Sequence, residues 1–323
     1  MGLLVNGQWQ DKWYESKHGA FEREDAIFRH WVSATGEAGP TGAAGFKAES
    51  GRYHLFVSLA CPWAHRTLIF RELKQLQKHI GVTVVDPKML EHGWVFSEVS
   101  KDNPLPNLHY CHQVYTAAKV DYTGRVTVPI LWDKQQQTIV SNESSEIIRM
   151  LNSAFNDVTG NYDDYYPKAL QPSINRINTL VYNNINNGVY RAGFATTQAA
   201  YSQAYHQVFE ALDYIESLLA NQRYLAGQQI TEADWRLFTT LIRFDSVYFG
   251  HFKTNKRSIE SYPNLTHYVR ELYQYPGIAG TVNFDHIKTH YYFSHSHINP
   301  THIVPEGPLI DYTQAHNRAG QIN

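Results

Sequence analysis

Only two of the 323 residues are cysteine, and one of them, Cys61, stands in the run Ser58-Leu59-Ala60-Cys61-Pro62-Trp63-Ala64-His65-Arg66-Thr67. A thiol reacts as its thiolate. With an ordinary pKa of about 8.5 only a few per cent is ionised at neutral pH, whereas a helix N-terminus lowers that pKa to roughly 3.5–7.5. Upstream, Tyr53-His54-Leu55-Phe56-Val57 reads as a buried strand; downstream, Leu68-Ile69-Phe70-Arg71-Glu72-Leu73 continues at helical spacing. Cys61 therefore falls on a strand-to-helix turn. Pro62 suits the first helical position, whose N–H has no partner within the helix, and this makes Cys61 the N-cap. His65 and Arg66 in the first turn are placed to add positive charge. A buried, inert cysteine, the commonest reading of a lone thiol, fits such a turn poorly.

The fourth position selects the chemistry. A dithiol redox centre needs Cys-x-x-Cys, and Ala64 stands where the second sulfur would be. Cys61 cannot resolve its own mixed disulfide, so an external thiol must, and glutathione is the abundant soluble one. The other cysteine, Cys111, lies fifty positions away in Tyr110-Cys111-His112 and reads as a structural thiol.

The elements around this turn follow one order. Gly81-Val82-Thr83-Val84-Val85-Asp86 is a second strand, so residues 53–86 form a βαβ unit. A loop-like stretch follows to Tyr122, with a helix expected at His109–Ala118. Gly124–Asp133 and Gln137–Ser141 are then two β-rich runs joined by a polar turn, and Ser141-Asn142-Glu143-Ser144-Ser145-Glu146 opens a helix over Ile147–Phe155. This is the order of a thioredoxin-like domain. In that fold the proline before the third strand is commonly cis and faces the active cysteine; Pro129 occupies the matching place. Residues 1–50 read as an irregular surface extension with one short helix near Asp25–Trp31.

Beyond a linker at Asn156–Pro167, where Asp163-Asp164 reads as a solvated pair, the pattern turns helical throughout. Helices are expected at Lys168–Asn187, Gln198–Ala220, Glu232–Ser246 and Thr266–Tyr273. Ile230-Thr231-Glu232-Ala233-Asp234-Trp235 is a helix start in which Thr231 caps and Asp234 reaches back as in a capping box. The fold class is thus α/β plus all-α: an extension at 1–50, a thioredoxin-like glutathione-binding domain at 51–157 and an all-helical domain with a C-terminal extension at 168–323. That pairing is the glutathione transferase architecture. Glu143-Ser144 suits it: amides at a helix start and a serine hydroxyl bind a carboxylate, while Glu143 accepts from an ammonium, as the γ-glutamyl end of glutathione requires.

Composition excludes several alternatives. A net charge of −2 gives no basic footprint for nucleic acid. No apolar run reaches membrane-spanning length, the start lacks a signal-peptide order, and scarce cysteines suit a reducing compartment, so a cytoplasmic protein without a membrane partner is expected. His290, His295, His297 and His302 crowd the C-terminal region without a recognised ligand order, and no metal is expected there.

The motifs together, from Ser58–Arg66 through Gly93-Trp94, Gly124–Pro129, Ser141–Ser144, Asn186-Asn187-Gly188-Val189-Tyr190 and Asn283-Phe284-Asp285-His286-Ile287, resemble the glutathionyl-hydroquinone reductases, the Xi class of glutathione transferases. The resemblance runs from Trp9 to Pro300. It implies Cys61 as nucleophile, glutathione as co-substrate and glutathionylated aromatic hydroquinones as substrates. It also implies glutathione contacts from Trp94, Arg125, Val126, Thr127, Val128, Glu143 and Ser144. Tyr190 is implied as proton donor to the product, and Tyr248 and Tyr291 as tyrosines whose hydroxyls lie near the catalytic sulfur. Among 22 tyrosines nothing local singles these three out. A homodimer is expected by analogy of fold. The residues alone also admit a glutaredoxin-like thiol transferase, a dehydroascorbate reductase, or a non-catalytic assembly module.

Overall fold

The structure is a computed structural model that describes residues 2–14, 16–96 and 103–320. Its strands are β1 (Leu3–Val5), β2 (Gln8–Gln10), β3 (Ser16–Lys17), β4 (Ala20–Phe21), β5 (Tyr53–Val57), β6 (Gly81–Val84), β7 (Gly124–Arg125), β8 (Ile130–Asp133) and β9 (Thr138–Ser141). The first four helices are α1 (Pro62–Leu73), α2 (Cys111–Ala118), α3 (Ser144–Ser153) and α4 (Asn156–Thr159). The later ones are α5 (Gln171–Val181), α6 (Gly188–Gly193), α7 (Gln198–Leu219), α8 (Glu232–Arg243), α9 (Leu265–Tyr273) and α10 (Phe284–Ser294). None of the described helices is long and apolar enough to cross a membrane.

The chain divides into two compact units that do not follow sequence order. The first holds residues 1–13, 24–164 and 281–294; the second holds 14–23, 165–280 and 295–323, and of these ranges 1, 15, 97–102 and 321–323 lie outside the described residues.

The first unit is built on a four-stranded sheet in the order β6-β5-β8-β9. β5 pairs parallel with β6, from His54↔Gly81 to Val57↔Val84, and antiparallel with β8, from Tyr53↔Asp133 to Phe56↔Ile130. Every residue of β5 is buried, as a central strand covered on both faces requires. The long β-rich run expected over 124–133 is broken. β7 leaves to pair with β1 in a second small sheet, β2-β1-β7, and the chain rejoins the main sheet at Ile130 after a cis Val128–Pro129 bond.

The helix expected near Asp25–Trp31 does not form. That segment runs extended along the outer edge of β9: His30 N–H donates to the Val140 carbonyl at 2.9 Å, and Asn142 N–H to the Phe28 carbonyl at 3.2 Å. Arg29 then pairs with Glu146 on α3. An open strand edge offers backbone bonds that a short isolated helix cannot match. Residues 24–50 of the extension are therefore part of the sheet unit, whereas residues 14–23 belong to the second unit.

In the second unit the expected helix 168–187 ends at Val181 and passes through a five-residue π-turn, Tyr182–Asn186, into α6. Asn186, buried, ties the π-turn to α8 by donating to the Arg236 carbonyl at 3.1 Å and to Thr240 Oγ1 at 2.7 Å. A second π-turn, Phe244–Tyr248, follows α8. The hairpin β3–β4 belongs here, with Thr196 N–H donating to the Gly19 carbonyl at 3.0 Å. The start of α8 is the expected capping box: Thr231 N–H donates to Asp234 Oδ2 at 2.8 Å.

Candidate active site

Cys61 has extended backbone angles, φ −75° and ψ 120°, with Pro62 opening α1, and its side chain makes no capping bond. The sulfur is therefore not consumed in holding the helix start. It lies 3.5 Å from the Val128 carbonyl oxygen, at the cis Val128–Pro129 corner, and the residue is partly exposed. Thiol and peptide edge thus sit side by side, the arrangement a thiol-bearing peptide needs to meet the nucleophile. Ala64, fully buried, occupies the fourth position. Cys111 is likewise fully buried, and burial pushes its thiol pKa far up, so it remains an inert thiol.

The two basic residues expected to help the thiolate have partners of their own. His65 Nε2 is 2.8 Å from Thr281 Oγ1, and the Arg66 guanidinium lies over the Trp63 ring at 4.5 Å. Arg66 Nη1 also approaches Ser144 Oγ at 3.5 Å, linking α1 to the start of α3.

Glu143 caps α3: its Oε1 accepts from Ser145 N–H at 2.9 Å and from Ser145 Oγ at 2.7 Å. The cap engages one carboxylate oxygen. Ser144 opens the helix and is buried. Between the sulfur and this helix start run Val126, Thr127 and Val128, and their loop is held by a residue that no sequence signal marks. Tyr115, fully buried on α2, donates its hydroxyl to the Thr127 carbonyl at 2.8 Å. The same oxygen accepts from Thr127 N–H at 3.2 Å and from Asn142 Nδ2 at 3.1 Å. One donor and two acceptor sites are thereby filled, and burial pushes the phenol pKa up.

Arg125 is 9% exposed, and its guanidinium faces the extension: Nε pairs with Glu24 Oε1 at 3.1 Å and Nη1 donates to the Lys12 carbonyl at 2.6 Å. Trp94, nearly buried, stacks on His290 at 4.6 Å, and His290 Nδ1 lies 3.0 Å from the Pro87 carbonyl. That pairing brings α10, and with it the buried Tyr291, into the first unit. Tyr190 and Tyr248 lie in the second unit with ring centroids 6.0 Å apart. Phe252 contacts both, at 5.5 Å from Tyr190 and stacked at 5.4 Å on Tyr248. His251 and His295 hydrogen-bond ring to ring at 3.1 Å beside Phe252. Among the described residues no group of three or more His, Cys, Asp or Glu side chains is arranged to hold a metal ion.

Comparison with known proteins agrees with this geometry. Residues 60–154 match the glutathione S-transferase N-terminal domain model and residues 198–271 the C-terminal domain model. The chain belongs to the glutathione S-transferase family. Within that family it sits in the Xi class. It is 53% identical to the glutathionyl-hydroquinone reductase YqjG of Escherichia coli K12 over 98% of both chains. It is 50% identical to the glutathionyl-hydroquinone reductase PcpF of Sphingobium chlorophenolicum over 95% of this chain and 96% of that one. The glutathione-bound structure of YqjG superposes with a TM-score of 0.92 at 51% identity, covering 99% of this chain and 100% of that chain. A Xi class transferase from Natrialba magadii superposes with a TM-score of 0.89 at 45% identity, covering 98% and 96%.

Proposed function

We infer that the protein is a glutathione-dependent enzyme that reduces glutathionyl-hydroquinones to hydroquinones. The observation that carries this reading is a single partly exposed sulfur at a helix start, 3.5 Å from the Val128 carbonyl and without a second thiol at position 64. Its relatives bearing the name of that activity support it.

In the first half-reaction the Cys61 thiolate attacks the sulfur of the glutathionyl-hydroquinone. The carbon–sulfur bond breaks, a Cys61–glutathione disulfide forms, and Tyr190 protonates the ring carbon or its tautomer as the hydroquinone departs. In the second, the thiolate of a free glutathione attacks the glutathionyl sulfur, oxidised glutathione leaves, and Cys61 returns as thiolate while Tyr190 regains its proton from water. Glutathione is held by Trp94, Arg125, Val126, Thr127, Val128, Glu143 and Ser144. The Val128 backbone pairs with the cysteinyl unit, and Glu143 with Ser144 receives the γ-glutamyl end. Tyr248 and Tyr291 favour the thiolate through their hydroxyls. By analogy of fold the protein works as a two-fold homodimer in the cytoplasm.

Exposure to a glutathionyl-hydroquinone without free glutathione is expected to leave one glutathione on Cys61 in the peptide mass map, discharged when glutathione is added. An adduct on Cys111, or none, overturns the reading. Cys61→Ser is expected to lose turnover entirely, because a hydroxyl is a far poorer nucleophile toward sulfur; wild-type turnover in that variant refutes the assignment.

A further inference from the structure

The second unit contains a cavity of about 130 Å³ lined by Phe21, Arg23, Tyr182, Asn183, Asn187 and Arg191. We propose that it binds a small oxyanion, a phosphate or a carboxylate group, with Arg191 as the principal ligand and Arg23 as the second cation.

Two guanidiniums and two carboxamides converge there, and no carboxylate lines the space. Several other guanidiniums are matched by acids, Arg52 by Asp133, Arg29 by Glu146 and Arg223 by Glu271, while Arg71 donates to the Ile80 and Gln77 carbonyls. Each of those acids raises its arginine's pKa. Arg191 is different. Its Nη2 donates to the neutral Gln207 Oε1, while its Nε is enclosed without a hydrogen-bond partner. Burial lowers its pKa with no acidic neighbour opposing the shift. A half-buried cation with an unmatched donor is unfavourable as it stands, and an oxyanion supplies both the missing acceptor and the counter-charge.

Arg23 is positioned for the same ligand. Its Nε donates to Asn187 Oδ1 at 3.1 Å, and its guanidinium rests against the rings of Phe21 and Tyr190, 5.5 and 5.2 Å from their centroids. With Asn187 Oδ1 accepting from Arg23, that carboxamide has its amino group left as a donor. The cavity is well below the roughly 300 Å³ at which sites for whole drug-sized ligands begin, which suits one ionic group with Phe21 or Tyr182 flanking any ring it carries. It also lies on the π-turn Tyr182–Asn186, and such turns are frequent at functional sites.

Arg23 touches Tyr190, the proposed proton donor, so the test reads binding alone and does not depend on turnover. The full-length protein is titrated calorimetrically with inorganic phosphate and, separately, with benzoate, at low ionic strength. One site per chain is expected for at least one probe, weakened tenfold or more by Arg191→Gln and unchanged by Arg176→Gln, which alters an exposed arginine. Tighter phosphate binding identifies an inorganic oxyanion; tighter benzoate binding identifies an organic carboxylate. Should Arg191→Gln fail to fold, Asn183→Asp at the exposed rim is expected to abolish binding by charge repulsion. No binding of either probe by the wild type overturns the proposal. Binding that survives both Arg191→Gln and Asn183→Asp overturns it equally.

Discussion

Tyr115→Phe tests how the glutathione subsite is held in shape. The substitution keeps the ring in its buried place and deletes one oxygen, the atom that joins the Thr127 carbonyl, Thr127 N–H and Asn142 Nδ2. Thr127 is partly exposed, so water can replace some of what its backbone loses. Asn142 is 8% exposed, and its amino group is left with only the longer 3.4 Å contact to Thr127 Oγ1. A net hydrogen bond is worth about 1 kcal/mol and a stranded buried donor about 1–3 kcal/mol, which sets the expected loss of stability near 2 kcal/mol. Thr127 adjoins Val128, so the loop that should pair with glutathione loosens, while Cys61 keeps its place at the start of α1. The expected result is a KM for glutathione raised several-fold, a smaller change in kcat, and a lowered urea midpoint. Wild-type KM and wild-type midpoint together would refute the argument that this phenol organises the loop.

Three further outcomes follow from other contacts. His54 is fully buried, with Nε2 2.8 Å from Thr83 Oγ1, and burial lowers its pKa to about 4, with Lys134 and Arg71 adding to the effect. Its neutral form therefore stabilises the fold fully above the unfolded pKa of about 6.5. That contribution, up to about 3 kcal/mol, is lost as pH falls from 6.5 toward 4. His54→Gln should flatten the dependence of the urea midpoint over that range, and parallel profiles for the two proteins would count against it. Thr231→Ala removes the cap of α8 and should cost about 1 kcal/mol, read as a lowered thermal midpoint with glutathione binding unchanged. Gly193→Ala would place a methyl 2.2 Å from Phe252 Cγ; overpacking of this kind costs about 1–3 kcal/mol, and the displaced ring should alter the near-ultraviolet dichroism of the aromatic cluster.

Features written in consecutive residues were legible in the sequence. The strand, turn and helix around Cys61 and the Thr231–Asp234 cap depend on neighbours within a few positions, and the structure has both. Features that depend on distant partners were not. Asp25–Trp31 is extended because β9 offers an edge more than a hundred residues later. The helix through 168–187 breaks into a π-turn although its apolar period continues; the one local hint is the run Asn183-Asn184-Ile185-Asn186-Asn187-Gly188, rich in weak helix formers. Within the site, Cys61 carries a local signature, whereas Pro129 was placed by the order of the elements around it. Tyr115 and His290 act through contacts that no spacing announces, and His290 reads from sequence as one of a histidine cluster although it stacks on Trp94.

The interleaving of the two units in sequence has a consequence for how the chain is made. Residues 28–30 leave the ribosome long before the strand they will border, and α10 follows only after the helical unit between residues 165 and 280. At synthesis rates of about 5–20 residues per second, that helical stretch alone takes roughly ten seconds. The unit that bears the nucleophile thus cannot be complete until α10 has been made.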